Sequence, residues 1–267
     1  MPRLRPGARL VAVLRRAAGV LVAIAVVGLI WQTLTVWTGF IAPSTFPTPA
    51  EVGAALRQID VDGYANGLLW EHAWRSVRLV TMGFVVASAC GVALGLAMGA
   101  SRDVEAFVNP VFMLLRPIPP LAWIPLAIVW LGLGDAAKIM VIFFAAFVPS
   151  VINSQAGVRQ IDAAQFEAAA MLGVRGMRYW LQVLVPGALP SIFTGLRLSL
   201  QASWTTLVAA ELVGAVAGLG QILNQAAQDI YPAMIVVGMA AVAVCGWAMT
   251  LALGWIERRA TPWRAAA

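Results

Sequence analysis

Charge, histidine, lysine and cysteine are all scarce in this chain. Charged residues make up 11% of its 267 residues, against roughly a quarter in soluble globular domains. One histidine, His72, and two cysteines, Cys90 and Cys245, are too few to build a metal cluster. Both cysteines lie inside apolar runs, so they read as small core residues rather than a disulfide. The only lysine, Lys138, follows Ala137, so the chain lacks the Gly-Lys-Ser/Thr core of a phosphate-cradling loop. With no nucleophile or paired-carboxylate constellation inside the apolar runs, no catalytic residue, cofactor or metal is expected, and the chain reads as no enzyme.

What remains is apolar. Hydrophobic residues reach 61% and the mean hydropathy is +0.85. Six stretches are long enough to cross a bilayer, at about 17–38, 76–100, 106–131, 137–157, 191–214 and 233–255. Backbone polar groups must be satisfied within hydrocarbon, and the period-two alternation of a barrel is absent, so these runs predict helices. The fold class is therefore an all-α polytopic membrane protein. Five arginines precede the first run, but that run is long enough to span and no small-x-small cleavage pattern closes it, so it reads as an uncleaved anchor.

The net charge of +6 comes from arginines at the ends of apolar runs. That placement signals orientation rather than nucleic-acid binding. Arginines crowd the N-terminal tail, the segment 158–190 and the C-terminal tail, whereas 214–232 has none. The positive-inside rule places both termini and 158–190 in the cytoplasm. The expected organisation is a cytoplasmic tail (1–16), a first span (17–38), a periplasmic connection with a short helix (39–69), a transmembrane domain (70–256) and a cytoplasmic tail (257–267).

Local signals refine this plan. Thr48-Pro49-Ala50-Glu51 has the cap, first-turn proline and early acid of a helix start, predicting a short surface helix from Pro49 to about Ile59. Gly91, Gly95 and Gly99 share one face of the second span, which suits close helix packing within the subunit more than a dimer contact. "RPIPPLAWIP" carries prolines at 117, 119, 120 and 125, so the third span must be broken or kinked; that is either a pathway feature or a plain kink. His72 beside Glu71 reads as a surface pair.

The segment "EAAAMLGVRGMRYWLQVLVP" (167–186) is polar and helix-forming between two apolar runs. With Arg159, Asp162, Glu167, Arg175 and Arg178 in one region, burial in lipid would cost on the order of 10 kcal/mol. It predicts a cytoplasmic helix–turn–helix, with an apolar stripe of Ile161, Ala164, Ala168 and Met171/Leu172. Gly173 is placed as a C-cap, and a second helix from Met177 ends at Pro186. Alanines on the apolar side suit a close-fitting protein socket better than a lipid surface.

Glu167-Ala168-Ala169, Gly173 after three residues, then Val183, Val185 and Pro186 resemble the EAA motif of ABC-importer permeases, with valine in place of the motif's isoleucine and leucine. The resemblance covers roughly residues 70–260 and implies the transmembrane domain of type I importers, with six transmembrane helices. "LLRPIPPLAWIPLAIVWLGLGDAAKI" and "TGLRLSLQASWTTLVAAEL" are similar to the taurine, aliphatic sulfonate and nitrate permeases, and "RRATPW" (258–263) to the taurine branch. The implied function is the pore-forming subunit of an ATP-driven importer of a small anionic or zwitterionic solute in the bacterial inner membrane. The implied partners are a second copy of the chain, two cytoplasmic ATPase subunits, a periplasmic solute-binding protein and membrane lipid. A secondary transporter with no ATPase partner is the alternative; it would show inverted repeats, and none is visible.

Glu167, Ala168, Ala169, Gly173 and Pro186 are then the residues of a coupling helix that docks on the ATPase. Candidates for the translocation path or gate are Arg116, Trp123, Trp204, Thr205 and Glu211, with Thr206 beside them. Arg116 would attract an anion or snorkel to the interface. The tryptophans would line a cavity or anchor at the membrane surface. Glu211, a carboxylate inside an apolar run, would line the path, pair with Arg197 or Lys138, or cap the region that follows; an anion path favours a structural or gating role.

Overall fold

The computed structural model describes residues 18–19, 22–23, 25–38, 46–214 and 216–263, and the described residues contain helices and no strand. In chain order the helices are α1 Ala25–Trp37, α2 Pro49–Val61, α3 Leu69–Ala100, α4 Arg102–Leu115, α5 Ile124–Leu131, α6 Asp135–Arg159 and α7 Ala163–Met171. They continue with α8 Met177–Gly214, α9 Leu219–Gln228 and α10 Pro232–Ala260. Helices α3, α6, α8 and α10 are each long and apolar enough to cross a membrane, and α4 together with Pro120–Leu131, which contains α5, is apolar enough for a fifth crossing but bent by 81° at the break between them. The first predicted span, 17–38, lies partly outside the described residues; its described portion contains α1.

The seam between α3 and α6 organises the bundle. A Cβ on Gly83 would lie 2.6 Å from Ile142 Cγ2, one on Gly91 2.7 Å from the Ser150 Cβ, and one on Gly99 2.7 Å from the Val158 Cβ. At Gly95 it would run into the Val151 carbonyl oxygen. Contacts advance together along both chains, so α3 and α6 run parallel with their backbones nearly touching. Helix α8 crosses α6 in the opposite sense on the same principle, with Gly157 facing Ala188 and Ser191, and Gly195 facing Asn153 and Pro149. Apolar surface gives no drive for association in lipid, and close backbone approach substitutes dispersion for it. The glycine face predicted for packing within one subunit is used that way. Cys90, by contrast, is exposed on α3 and Cys245 half-buried on α10, so Cys90 is no core residue. On a fully apolar helix, hydropathy alone does not say which face meets the bundle.

Two helices differ from the sequence reading. Helix α2 is capped as predicted, Thr48 Oγ1 accepting from Glu51 N and Glu51 Oε2 from Thr48 N, but Ala55 and Ile59 are fully buried in the cluster they share with Val237. It is half core, not purely surface. The helix from Met177 does not stop at Pro186: a π-turn at Trp180–Leu184 leads into Val185–Gly214, making one continuous rod. The wider turn takes up the proline, whose missing N–H would break a regular ladder.

Short connections complete the fold. Ala65 and Asn66, both at positive φ, form a tight turn in which Tyr64 and Gly67 exchange backbone hydrogen bonds. Helix α9 ends in a Schellman motif, Tyr231 N–H donating to Ala226 O and Ile230 N–H to Ala227 O. The left-handed position, usually glycine, holds Ile230 at φ +52°, and such a backbone costs an L-residue about 1–2 kcal/mol.

The seam makes a paired prediction. Gly95→Ala forces a methyl into the Val151 carbonyl and should destabilise the protein by about 1–3 kcal/mol. Gly53→Ala in α2 has open space around it and should stabilise by up to about 1 kcal/mol through helix propensity. Thermal unfolding of the purified variants in one detergent checks the opposite signs.

Candidate functional site

The polar segment between α6 and α8 is a helical hairpin built by its own caps. Asp162 Oδ1 accepts from Ala164 N at 3.1 Å and starts α7. Gly173, at φ +69°, ends it in a Schellman motif, with Val174 N–H donating to Ala169 O and Gly173 N–H to Ala170 O. Gly176, also at positive φ, starts α8. The Phe166 ring lies against Tyr179, centroids 6.2 Å apart. Ala169 is buried against the scaffold, whereas Glu167 and Ala168 are exposed. The predicted apolar stripe is split: Ile161 turns inward, where a Cβ on Gly187 would meet it, while Met171 and Leu172 are 84% and 81% exposed. Ala168, Ala169 and Pro186 line one groove together with Trp263 from the C-terminal end. Three of the motif residues, Ala168, Ala169 and Pro186, therefore share one surface with the bare Leu172, and the equally bare Met171 lies next to it in the chain.

The residues predicted for a path do not converge. Arg116 is exposed at the break between α4 and α5, followed by Pro117, Pro119 and Pro120 and a 3-10 turn at Pro120–Trp123. Trp123 stacks on Phe144 of α6, centroids 4.1 Å apart and planes within 10°. Trp204 is buried in the main core facing Gly246 of α10, its Nε1–H without a partner. Thr205 is exposed, but its hydroxyl donates back to the Gln201 and Ala202 carbonyls. Thr206 is buried.

Glu211 is fully buried and makes a junction of three helices. Its carboxylate accepts from Ser76 Oγ of α3 at 2.9 Å and from Gly220 N of α9 at 2.7 Å. Ser76 Oγ also accepts from Leu219 N at 2.9 Å, and His72 Nδ1 accepts from Gly218 N at 2.9 Å. Three successive backbone N–H groups at the start of α9 thus each meet a different side chain. Because Nδ1 accepts, the proton of neutral His72 lies on Nε2, which donates to Tyr64 O at 3.0 Å. Of the roles open to Glu211, capping is the one the structure shows. Arg197 pairs with Glu257 instead, and Lys138 lies within 4.0 Å of Asp135, which Arg75 also bridges at 3.1 Å.

The surface pairing expected for His72 beside Glu71 is wrong, because His72 is buried, and neither it nor Ser76 is among the path or coupling residues expected from the sequence. A signal existed. Helix α9 opens at "GLGQ" with no Ser, Thr, Asp or Asn to cap it, so its caps had to come from elsewhere. His72 and Ser76, four apart, share one face of α3.

The comparisons with known proteins decide the family. Residues 87–264 match the model of the binding-protein-dependent transport system inner membrane component. The chain belongs to that family. It is 35% identical to the taurine transport system permease protein TauC of Escherichia coli, over 89% of this chain and 88% of that protein. It is 32% identical to the putative aliphatic sulfonates transport permease protein SsuC of Bacillus subtilis, over 90% and 85%. With the bicarbonate transport system permease protein CmpB of Synechococcus elongatus it shares 35% identity over 75% and 72%. Its fold matches a chain of the inward-facing MetNI methionine ABC transporter with a TM-score of 0.63, covering 72% of this chain and 96% of that one at 20% identity. The protein is a multi-pass inner-membrane permease subunit of an ABC importer with the type I transmembrane fold.

The α9 junction is open to test. Glu211→Ala leaves the Gly220 N–H and the Ser76 hydroxyl without their acceptor, at about 1–3 kcal/mol for each group left unsatisfied. Amide exchange at Gly218–Gly220 should accelerate by roughly tenfold or more, while α7 amides are unchanged. Hydrogen-exchange mass spectrometry on the membrane-embedded protein reads both regions at once.

Proposed function

We propose that this chain forms the pore of an ATP-driven importer for a small anionic or zwitterionic solute, of the class to which taurine, alkanesulfonates and nitrate belong. The relatives named for taurine, aliphatic sulfonates and bicarbonate support that class, and Arg116, exposed at the break in a proline-rich span, is the group suited to draw an anion toward the pore. Two copies would enclose the path, with two ATPase subunits beneath and a solute-binding protein outside. Both termini and α7 face the cytoplasm in this reading, with 1–16 and 257–267 as tails and 70–256 as the transmembrane domain, as the arginine distribution favours.

One observation carries the coupling role: the motif surface on α7, with Glu167 and Ala168 exposed, ends in Met171 and Leu172, almost fully bare beside the Gly173 turn. An unpartnered apolar pair on a capped polar helix suits a socket on another protein. Helix α7 packs on the first turns of α8, and α8 runs unbroken to the other end of the bundle. Closure of the ATPases would therefore move a rod, not a loop.

Gly173→Leu places a Cβ in a left-handed backbone, at about 1–2 kcal/mol, and puts bulk where the socket must close. It should still insert in the membrane yet lose the ATPase on co-purification, and Glu167→Lys should show a milder loss. Gly173→Asn, which tolerates the backbone, should retain the ATPase. Equal recovery of ATPase with wild type, Gly173→Leu and Glu167→Lys would refute the coupling role.

A further inference from the structure

The end of α9 carries a side chain that the chain itself does not use. Ile230 is β-branched, has φ +52° and is 82% exposed. Among the described residues only Ala65 and Asn66 share a positive φ without being glycine. Those two close a turn and are unbranched, and Asn tolerates that region. Nothing local requires isoleucine at Ile230, where glycine would relieve the backbone. A strained backbone that offers an apolar side chain to solvent points to a use outside the chain.

Its flanks are pinned so that the side chain is held out. Asp229 Oδ2 accepts from the Tyr64 hydroxyl at 2.5 Å and Asp229 Oδ1 from Gln225 Nε2 at 3.0 Å. Burial, and then the Asp229 carboxylate, hold the Tyr64 phenol above its ordinary pKa, so it stays a donor. The Tyr231 hydroxyl donates to Gln58 Oε1 of α2 at 3.1 Å, and the Tyr64 and Tyr231 rings meet edge-on at 6.3 Å. At its other end α9 is clamped by His72, Ser76 and Glu211. The platform is rigid, and it lies at the end of α8 remote from α7.

We propose that Ile230 is the anchor by which this permease docks its solute-binding protein, an apolar knob entering a shallow apolar pocket on that partner. The inference rests on the importer reading above. The family is binding-protein-dependent by its own description, and the surface surrounding the knob favours protein over lipid. Gln228 and Asp229 precede it, Tyr231 follows it with its hydroxyl held by Gln58, and the connection 214–232 has neither lysine nor arginine, so an anionic lipid surface would meet a carboxylate and no cation. A rigid, preorganised apolar anchor loses little entropy on docking.

The test uses the assembled transporter, purified through a tag on this chain, and the solute-binding protein that stimulates its ATP hydrolysis. Ile230→Gly should raise the unfolding midpoint by about 2–4 °C, because the backbone relaxes. It should also raise the half-saturating concentration of binding protein by at least about tenfold, with basal hydrolysis unchanged. Ile230→Leu keeps the apolar side chain and should stay within about threefold of wild type. A stabilised Ile230→Gly variant that docks like wild type would overturn the proposal. So would a loss seen in anionic vesicles but absent in detergent, which assigns the side chain to lipid. If no binding protein stimulates the wild-type complex, the importer reading falls and this inference with it; stimulation that is equal in all variants removes this inference alone.

Discussion

The close approach of α3 and α6 is the constraint on which the rest of the molecule hangs. Two apolar helices in lipid gain nothing by hiding from water, so they stay together only where their backbones can touch. Gly83, Gly91, Gly95 and Gly99 supply that contact along the length of α3. Once the pair is fixed in parallel, α8 has one groove to enter, and it does so against Gly157 and with its own Gly195. Arg159 pairs with Glu105, which Gln155 also holds, tying α4 to the same end of α6. The broken α4–α5 span is then left on the outside of the trio, its bulky residues Phe107, Leu114, Val129 and Trp130 exposed.

Rigidity at the two ends of α8 follows from polar chemistry rather than packing. At one end Asp162, Gly173 and Gly176 shape the hairpin of α7. At the other, Glu211 holds the start of α9 with help from α3. A carboxylate fully enclosed among apolar helices is costly unless its oxygens are occupied, and here donors come from two other helices. The same group therefore completes a helix cap and fastens three elements. The rod between the ends contains a π-turn, which lets a proline sit near its base without a break. In the coupling role proposed above, movement applied at α7 would reach α9 through one continuous helix.

Much of this was legible in the residues because the decisive signals were local or periodic. Apolar run length marked the spans, four-residue glycine spacing marked the seam, and the proline density of 117–125 marked the broken span. The cap of α2 and the glycine stop of α7 could be read from a few residues each. What stayed hidden depended on contacts across the chain. The missing cap of α9 signals outside help, but nothing near His72 in sequence says that its ring nitrogen accepts from Gly218, 146 positions away. Hydropathy could not tell that Trp204 faces the core and Arg116 does not, since orientation about the axis of an apolar helix leaves little trace in composition. Pro186 misled for a related reason: a proline normally stops a helix, and the π-turn that absorbs it has no signature in the residues.

These hidden features share a cause. Helix α9 lacks its own cap at one end and has an ill-suited residue at the other, so by local preference it is a poor helix. It exists because α3, α8, α2 and the turn between α2 and α3 supply what it lacks: acceptors for its first amides, a donor (Tyr64) for Asp229 and an acceptor for Tyr231. An element held wholly by its neighbours reports their arrangement. Any shift of α8 against α3 would move Glu211 away from Ser76 and loosen Gly220. The order of α9, and with it the presentation of Ile230, is therefore linked to the relative positions of the spanning helices. A partner that grips the platform firmly only when it is ordered must, by the reciprocity of linkage, favour that arrangement of the spans.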